Sequence, residues 1–400
     1  MKKNSRITPE GTKDYLFEEC LLRRNIERRL SGIFEAHDFR EVVTPGMEFY
    51  DVYDPDFSGI PPEAMFKMTD RQGSLIVMRP DNTLSVARLT ATRLQNVPRP
   101  VRLYYSQPVY RNNPGLAGRR NENLQMGVEL LGAGGVRADL ETLAAAVESL
   151  SACVPGFRLE IGHAAFFKAL AEGIGVSGEK KEEIRKAVGS KNNTALCRLL
   201  GGAGECAEVR AMRKLPQLFG GEEVFEKAAA LFTGKLKDTL GYLQGIYHAL
   251  DGFGLGGRLI IDLGLVQRND YYTGIIFSAY AEGCGEAVLR GGRYDHLLEH
   301  FGVPMPAVGF GIDVDAVADI RFKNGESHLP TPPDVLVHGE SGCEVKALEH
   351  GARLAKQGMR CENSVLGSEK EALQYAREAG IGRVDIVGSS IRTVPTGGKT

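Results

Sequence analysis

Five short segments of the chain combine polar or aromatic residues with apolar, strand-like neighbours. They read "MRPDNT", "YR" at positions 110–111, "LQMGVE", "DYYTG" and "GGRYD". Residues that alternate along a strand lie on the same face of a sheet, so these segments could place their polar groups around one pocket. The candidate ligand-binding residues are Asp81, Thr83, Arg111, Gln125, Glu129, Tyr271, Tyr272 and Tyr294.

The two carboxylates in this set restrict what the pocket could bind. A buried acid is costly unless a cation or a hydrogen-bond donor compensates it. Asp81 and Glu129 therefore favour a ligand with positive charge or N–H groups. A polar network that only stabilises the fold is the alternative, and spacing alone leaves both interpretations open.

The elements that must position these residues are strands and a hairpin. Two predicted strands, 101–111 and 124–132, flank a polar loop, which favours an antiparallel hairpin whose loop could fold over a ligand. A predicted helix at about 84–94 follows a strand at 74–81. Because the segments "RLIIDLGLV", "YYTGIIFSAY" and "EAVLRGGRYD" restore β character later, the sequence predicts an α+β fold with helices flanking an antiparallel sheet.

The rest of the chain divides into further parts. From about 166 to 250 the sequence is rich in Ala, Leu, Lys and Glu, which predicts a helical insertion within a first domain at 1–320. Closely spaced prolines indicate a linker at 321–333. Alternating strands and helices then predict a small carboxy-terminal α/β domain at 334–400. The first predicted helix, about 17–36, carries four arginines between Arg23 and Arg29. We interpret these arginines as a solvated face of the helix, and a stripe that binds a partner is the alternative.

Composition narrows the class of protein. A chain of 400 residues with net charge −2 is not typical of proteins that hold RNA mainly through its phosphates. No apolar run approaches the roughly 18 residues of a membrane span, and the amino-terminal segment lacks the apolar core of a signal peptide. Seven scattered cysteines without a CxxC pair predict free thiols in the cytoplasm and no metal site.

Three other residues have simpler interpretations than a functional one. Asp313 and Asp315 alternate with apolar residues and have no histidine nearby, so solvent-facing positions or a helix start explain them better than a metal pair. His163 is interpreted as a structural histidine at a strand end, with a functional role as the alternative.

The five segments resemble the catalytic domain of class II aminoacyl-tRNA synthetases, specifically histidyl-tRNA synthetase. The similarity runs from "TPEGTKDYL" through "GGRYDHLLEHFG" and "PAVGFGI", over most of residues 7–320. It implies a class II synthetase-like antiparallel sheet. The final domain is similar to the anticodon-binding domain of that family, in a reduced form.

The resemblance also implies a role for each pocket residue. Asp81, where the synthetases usually have glutamate, would pair with the α-ammonium group of histidine, helped by Thr83 and Gln125. Glu129 and the three tyrosines would surround the imidazole, and Arg111 is retained from the second motif. A ligand without ring nitrogens would leave Glu129 unpaired, which discriminates strongly against it.

The departures from the family concern the phosphates of ATP, whose charge the synthetases neutralise with arginines. Gln267 stands where the first arginine is expected, and Arg268 would have to shift register to replace it. Ala316 stands where the arginine of the third motif is expected. In the second motif, Asn113 replaces a glutamate and Asn121 replaces an arginine. Because removing one preorganised donor costs about 10²- to 10³-fold in rate, negligible adenylation is expected.

Regulatory subunits of ATP phosphoribosyltransferase, which are non-catalytic paralogues of histidyl-tRNA synthetase, fit this pattern. The segments "MRPDNTLSVARL" and "DYYTGIIFSAY" resemble theirs, and the similarity extends over the whole chain. It implies no catalysis, no cofactor and no tRNA, with L-histidine as an effector. It further implies that the chain activates the short-form catalytic subunit and mediates its feedback inhibition, in the first step of histidine biosynthesis. The implied assembly is a self-dimer of this chain within a hetero-octamer. A divergent active histidyl-tRNA synthetase, a histidine-sensing scaffold without that partner, and an RNA-binding protein are the alternatives.

Overall fold

The structure, a computed structural model, describes residues 6–113, 119–267, 271–326 and 331–397. The chain forms two compact units, residues 1–327 and 328–400. Within the described ranges, no helix is both long enough and apolar enough to cross a membrane.

Strands of the first unit build two sheets. They are β1 (Arg40–Glu41), β2 (Met47–Phe49), β3 (Lys67–Thr69), β4 (Leu75–Met78), β5 (Val101–Tyr110), β6 (Glu122–Leu131), β7 (Phe157–His163), β8 (Phe219–Gly220), β9 (Leu259–Asp262), β10 (Ile275–Ala281), β11 (Leu289–Arg293) and β12 (Ala307–Asp313). The large sheet has nine strands in the order β1-β5-β6-β12-β11-β10-β7-β9-β8, and the small one has the order β2-β4-β3. In the large sheet only the pairs β1–β5 and β7–β9 are parallel among the described residues. The predicted antiparallel sheet is therefore confirmed for the strands that carry the site.

Helices of the first unit cover the large sheet and form the insertion. They are α1 (Phe17–Ala36), α2 (Pro55–Ser58), α3 (Asn82–Arg93), α4 (Val136–Cys153), α5 (Ala164–Ile174), α6 (Gly178–Gly189), α7 (Asn193–Leu200), α8 (Ala207–Lys214), α9 (Glu223–Ala229), α10 (Lys235–Gly252) and α11 (Val314–Lys323). The stretch predicted as helical, about 166–250, contains α5 to α10, with the short strand β8 between α8 and α9.

The large sheet separates two hydrophobic cores. On β10, Ile275 and Phe277 belong to the core shared with α1, α4 and α5, whereas Ile276 belongs to the core that holds Tyr272 and Tyr294. This alternation is the period-two geometry of a strand. We refer to these two sides as the helix face and the pocket face of the sheet.

The first helix spans the predicted residues, and its apolar side lies against the helix face. Its buried residues are Leu22, Ile26, Leu30 and Phe34, at the expected helical spacing. The interpretation of its arginines as a solvated face is wrong for Arg23, which is partly buried and whose Nε lies 3.0 Å from Asp315 Oδ1. Arg29 is exposed as predicted, although its Nη1 donates to Ala152 O at 2.7 Å. Asp315 and Ala152 are distant in sequence from the helix, so helical spacing could not reveal them.

The second unit is a small α/β sheet. Its strands are β13 (Val335–Gly339), β14 (Cys361–Asn363), β15 (Arg383–Val387) and β16 (Ile391–Pro395), and its helices are α12 (Glu344–Lys356) and α13 (Glu369–Glu378). The order is β14-β13-β15-β16, parallel except for β15–β16. Ala347 of α12 packs with Val337, and Ala376 of α13 packs with Leu336, so the helices cover opposite faces. The predicted partly parallel sheet is confirmed.

Candidate functional site

Asp81 lies at the amino terminus of α3, just after the buried Arg79. Its side chain caps the helix by accepting a hydrogen bond of 3.2 Å from Leu84 N–H. Arg79 is 2% exposed and donates to the carbonyl oxygens of Thr44 and Pro108. Because a buried guanidinium with these partners is held in one geometry, it fixes the segment that carries Asp81.

The β5–β6 hairpin contributes the deepest acid of the site. Gln125 of β6 lies opposite Gln107 of β5, and Glu129 follows four residues later on the same face. Glu129 is 1% exposed and accepts hydrogen bonds from the hydroxyl groups of Thr83, at 2.7 Å, and Tyr294. Two hydroxyl donors from different elements therefore orient this carboxylate.

Three tyrosines pack against one another beside Glu129. The ring centroids of Tyr271 and Tyr272 are 4.7 Å apart. Those of Tyr271 and Tyr294 are 5.7 Å apart, in an edge-on arrangement. Gly309 of β12 forms the floor, because a Cβ atom there would lie 1.8 Å from Glu129 Oε2. A glycine at this position therefore leaves the room that the carboxylate occupies.

A network of side-chain amides orients Gln125. Asn82 Nδ2 donates to Gln125 Oε1 at 2.9 Å. Gln107 Nε2 in turn donates to Asn82 Oδ1 at 2.9 Å and to Thr44 Oγ1 at 2.8 Å. Asn82 and Gln107 are buried, so each bond fixes the amide orientation of its neighbour.

Arg111 lies after β5, at the more exposed side of the site. Its Nε donates to Pro80 O at 2.9 Å, and its Nη2 lies 3.9 Å from Asp81 Oδ2. Residues 114–118 of the loop that follows lie outside the described residues. With Arg111, the structure brings all eight predicted residues together. Whether they bind histidine remains a prediction.

Burial controls the electrostatics of the two acids. It raises the pKa of Glu129 to about 8, although the hydroxyl groups of Tyr294 and Thr83 act in the opposite direction. Burial also raises the pKa of Asp81, partly offset by the positive charge of Arg111. A cationic or N–H-rich ligand would favour the ionised form of both carboxyl groups. The site thus matches a ligand that carries an ammonium group and further N–H donors.

A neutral amide occupies the position where the first phosphate-binding arginine is expected. Gln267 Nε2 donates to the carbonyl oxygens of Phe277 and Gly291, at 3.2 Å each, and so bridges β10 and β11. Arg268, the substitute that would need a register shift, lies outside the described residues, as does Asp270. Gln267 has a structural role, and its amide adds no charge to the site.

Ala316 lies in the first turn of α11, among charges that are already paired. Asp313 caps this helix by accepting from Ala316 N–H at 2.9 Å, as predicted for a helix start. Asp315 is also in the first turn, but it is 1% exposed. It lies 3.0 Å from Arg23 Nε and 4.0 Å from Arg120 Nη1. Arg23 is therefore engaged by a buried acid, and Arg120 is paired with Asp319 at 2.6 Å.

Sequence reasoning missed three buried members of the site: Asn82, Tyr105 and Gln107. Asn82 is adjacent to Asp81 in "MRPDNT" and could have been included on that ground. Tyr105 and Gln107 alternate along β5, which puts them on one face. The signal was weak because two adjacent tyrosines in "RLYYSQ" leave the inward face undecided, and both Tyr104 and Tyr105 are buried.

Comparisons with known proteins identify the family. The histidyl-tRNA synthetase family profile matches residues 11–317. The ATP phosphoribosyltransferase regulatory subunit of Clostridium kluyveri is 39% identical over 373 residues, which are 92% of this chain and 95% of that protein. The protein of the same name from Bacillus cereus is 36% identical over 383 residues, which are 94% of this chain and 91% of that protein.

Solved structures agree with this assignment. A structure described as an ATP phosphoribosyltransferase regulatory subunit/histidyl-tRNA synthetase from Bacillus halodurans C superposes with a TM-score of 0.80 and 27% identity, covering 94% of this chain and 97% of that chain. Histidyl-tRNA synthetase from Nostoc sp. PCC 7120 is 18% identical, with a TM-score of 0.71 over 98% of this chain and 95% of that chain, and shows the fold alone. The predicted fold and family are confirmed: the chain belongs to the ATP phosphoribosyltransferase regulatory subunits, which share the histidyl-tRNA synthetase fold.

Proposed function

We propose that this regulatory subunit senses L-histidine in the pocket around Glu129. As a cytoplasmic protein, it would bind and activate the short-form catalytic subunit of ATP phosphoribosyltransferase. It would also mediate feedback inhibition by histidine at the first step of histidine biosynthesis. The observation that carries this proposal is the buried Glu129 carboxylate, held by Thr83 and Tyr294 beside a second buried acid, Asp81.

The geometry supports a specific pose for the ligand. The α-ammonium group would lie against Asp81 and Gln125, where an acid with raised pKa gains most from a cation. The imidazole would donate an N–H to Glu129 and stack among the tyrosines. Arg111, whose side chain is 44% exposed beside Asp81, would take the carboxylate. Charge-assisted hydrogen bonds of this kind are among the strongest that a small site forms.

Among the residues that the structure describes, the same site has no arginine at the two positions where the resemblance places the phosphate-binding arginines. Attack on the α-phosphate of ATP develops negative charge, which preorganised cations must stabilise. Gln267 and Ala316 occupy the two expected arginine positions, and the nearby Arg23 is committed to Asp315 at 3.0 Å. This arrangement supports histidine recognition without adenylation.

Feedback inhibition requires histidine to bind two states of the assembly unequally. Coupling free energies between sites are typically about 1–3 kcal/mol and are reciprocal. If histidine changes how tightly this chain binds the catalytic subunit, the catalytic subunit must change the affinity of this chain for histidine by the same factor. The proposed assembly is a hetero-octamer that contains a self-dimer of this chain.

Reconstitution with a short-form catalytic subunit tests the proposal. Adding the full chain should raise the turnover of that subunit, and L-histidine should suppress the increase. Glu129→Gln should weaken suppression by histidine about 10- to 100-fold, the typical value of a hydrogen bond to a charged group. Glu148→Gln is the matched control, because Glu148 is an exposed acid on α4, paired only with His37 among the described residues. Failure to bind or activate the catalytic subunit would contradict the proposal.

A further inference from the structure

A cavity of about 320 Å³ lies on the helix face of the sheet, whereas Glu129 lies on the pocket face. Arg293 of β11 lines the cavity, and the direction of its side chain shows on which face of the sheet the cavity lies. A Cβ atom at the preceding Gly292 would touch the ring of Tyr272 on the pocket face, and Tyr294 also lies on that face. Because side chains alternate along a strand, Arg293 points to the other face. The volume is at the lower end for small-molecule sites.

One wall of the cavity is a fully paired, buried ion cluster. Arg293 is 5% exposed and lies 2.6 Å from Asp139 of α4 and 2.9 Å from Asp295. Tyr242 of α10 donates its hydroxyl hydrogen to Asp139. These groups need no ligand to compensate them, so they form a preorganised wall that joins the insertion to the sheet.

A second wall offers one neutral hydrogen-bond donor. His163 Nδ1 accepts from Ala165 N–H at 3.2 Å, which places the ring proton on Nε2. Burial and the nearby charge of Arg293 lower the pKa of His163 to about 4, so the ring is neutral at physiological pH. An Nε2–H donor on this wall suits an oxygen acceptor of a ligand.

The remaining polar side chains that line the cavity offer only acceptors to a ligand. Thr239 uses its hydroxyl hydrogen on Lys235 O, at 2.9 Å, and Tyr242 uses its own on Asp139. Asp238 is exposed in the first turn of α10, and its carboxylate has no ion pair with any residue in the described ranges. Asp238, Thr239 and Tyr242 all line the cavity, so one carboxylate and two acceptor hydroxyl oxygens match the three N–H donors of an ammonium group.

We infer that this cavity binds a small primary amine that carries an oxygen acceptor, as free amino acids and amino alcohols do. The ammonium group lies against Asp238 and the hydroxyl oxygens of Thr239 and Tyr242. The oxygen of the ligand accepts from His163 Nε2–H. This site goes beyond the proposed function, since it shares no residue with the histidine pocket and requires no catalytic subunit.

Calorimetry on the full chain tests this site. The probes are the proteinogenic amino acids and ethanolamine, with trimethylglycine as a matched control because its cation has no N–H. At least one amine should bind, and Asp238→Asn should weaken it at least about tenfold, the loss of one charged hydrogen bond. Asp251→Asn, a matched exposed acid on the same helix, should leave the affinity unchanged.

The outcomes separate this inference from the proposed function. Binding of ethanolamine would identify an amino-alcohol site, and binding of amino acids alone would identify a carboxylate-reading site. Binding that responds to Glu129→Gln but not to Asp238→Asn would place every ligand in the histidine pocket and overturn the inference. Equal binding of trimethylglycine, or no binding by any probe, would also overturn it.

Discussion

Glu129 is the residue on which the proposed recognition of histidine depends most. Its two carboxylate oxygens accept from Thr83 and Tyr294, and its pKa is raised to about 8 by burial. In the empty site near neutral pH the group is therefore mainly protonated. A ligand that donates N–H groups favours the ionised carboxylate, so ligand binding and proton release are linked.

This linkage predicts how histidine affinity depends on pH. Between pH 7 and about 8, free imidazole is already neutral, while Glu129 in the empty site still holds its proton. Binding should therefore release a proton, and affinity should increase as pH rises through this interval. Calorimetry in two buffers with different ionisation enthalpies measures the release. Glu129→Gln should abolish it, and release that persists in this variant would assign the proton to another group.

Single residues also show where sequence reasoning reached its limit. Motif order and strand alternation were sufficient to predict that the eight candidate residues lie together. The burial of Asp315 against Arg23 could not be found in this way, because the two residues are far apart in sequence and on different helices. The sequence showed only that Gln267 lacks the charge of the expected arginine. Its hydrogen bonds to β10 and β11 could not be predicted without knowing how these strands pair in the sheet.

At the scale of elements, β12 is shaped by glycines that make room for side chains of β6. A Cβ atom at Gly309 would lie 1.8 Å from Glu129 Oε2, and one at Gly311 would lie 2.6 Å from Gln125 Nε2. The two strands pair directly, with Gly309 opposite Glu129. The glycines of β12 therefore leave the room in which the polar side chains of β6 lie.

Gly309→Ala tests this arrangement. The added methyl group should displace the Glu129 carboxylate and weaken histidine binding at least about tenfold. It should also destabilise the fold by about 1–3 kcal/mol, as overpacking of a filled site does. Calorimetry and denaturant unfolding measure the two effects.

Gly241→Ala is the control for that substitution. Gly241 lies in α10, and a Cβ atom there meets no heavy atom within 4 Å. Histidine affinity should be unchanged, and stability should stay constant or rise by up to about 1 kcal/mol. Normal histidine binding by Gly309→Ala would show that the carboxylate does not need its present position.

Elements differ in how far the sequence predicts them. The bounds of α1 and the β5–β6 hairpin followed from helical spacing and from two apolar strands around a polar loop. The short strand β8 within the insertion was not predicted. It pairs with β9, and a strand of two residues has no periodicity of its own to detect.

At the scale of the whole molecule, the chain consists of two units with separate cores. All eight pocket residues and the ion cluster around Arg293 belong to the first unit, residues 1–327. The second unit packs its own apolar residues on both faces of a four-stranded sheet. Ligand recognition and any role of the second unit are therefore separable in principle.

Truncation after residue 327 tests this separation. The shortened chain should fold and bind histidine with the affinity of the full chain, since no proposed contact comes from the second unit. Calorimetry measures the affinity, and circular dichroism reports the fold. A folded truncated chain that no longer binds histidine would show that the second unit contributes to the site.

The central claim is that the chain recognises histidine and lacks the means to hold and activate ATP. The most direct measurement is a calorimetric titration of the full chain with histidine, with and without magnesium-ATP. We expect one histidine to bind per chain at Glu129 with the same affinity in both titrations, and no heat of binding from ATP alone. ATP binding that increases the affinity for histidine would contradict this claim. Other cationic residues would then bind the phosphates in place of the arginines that synthetases have at the positions of Gln267 and Ala316.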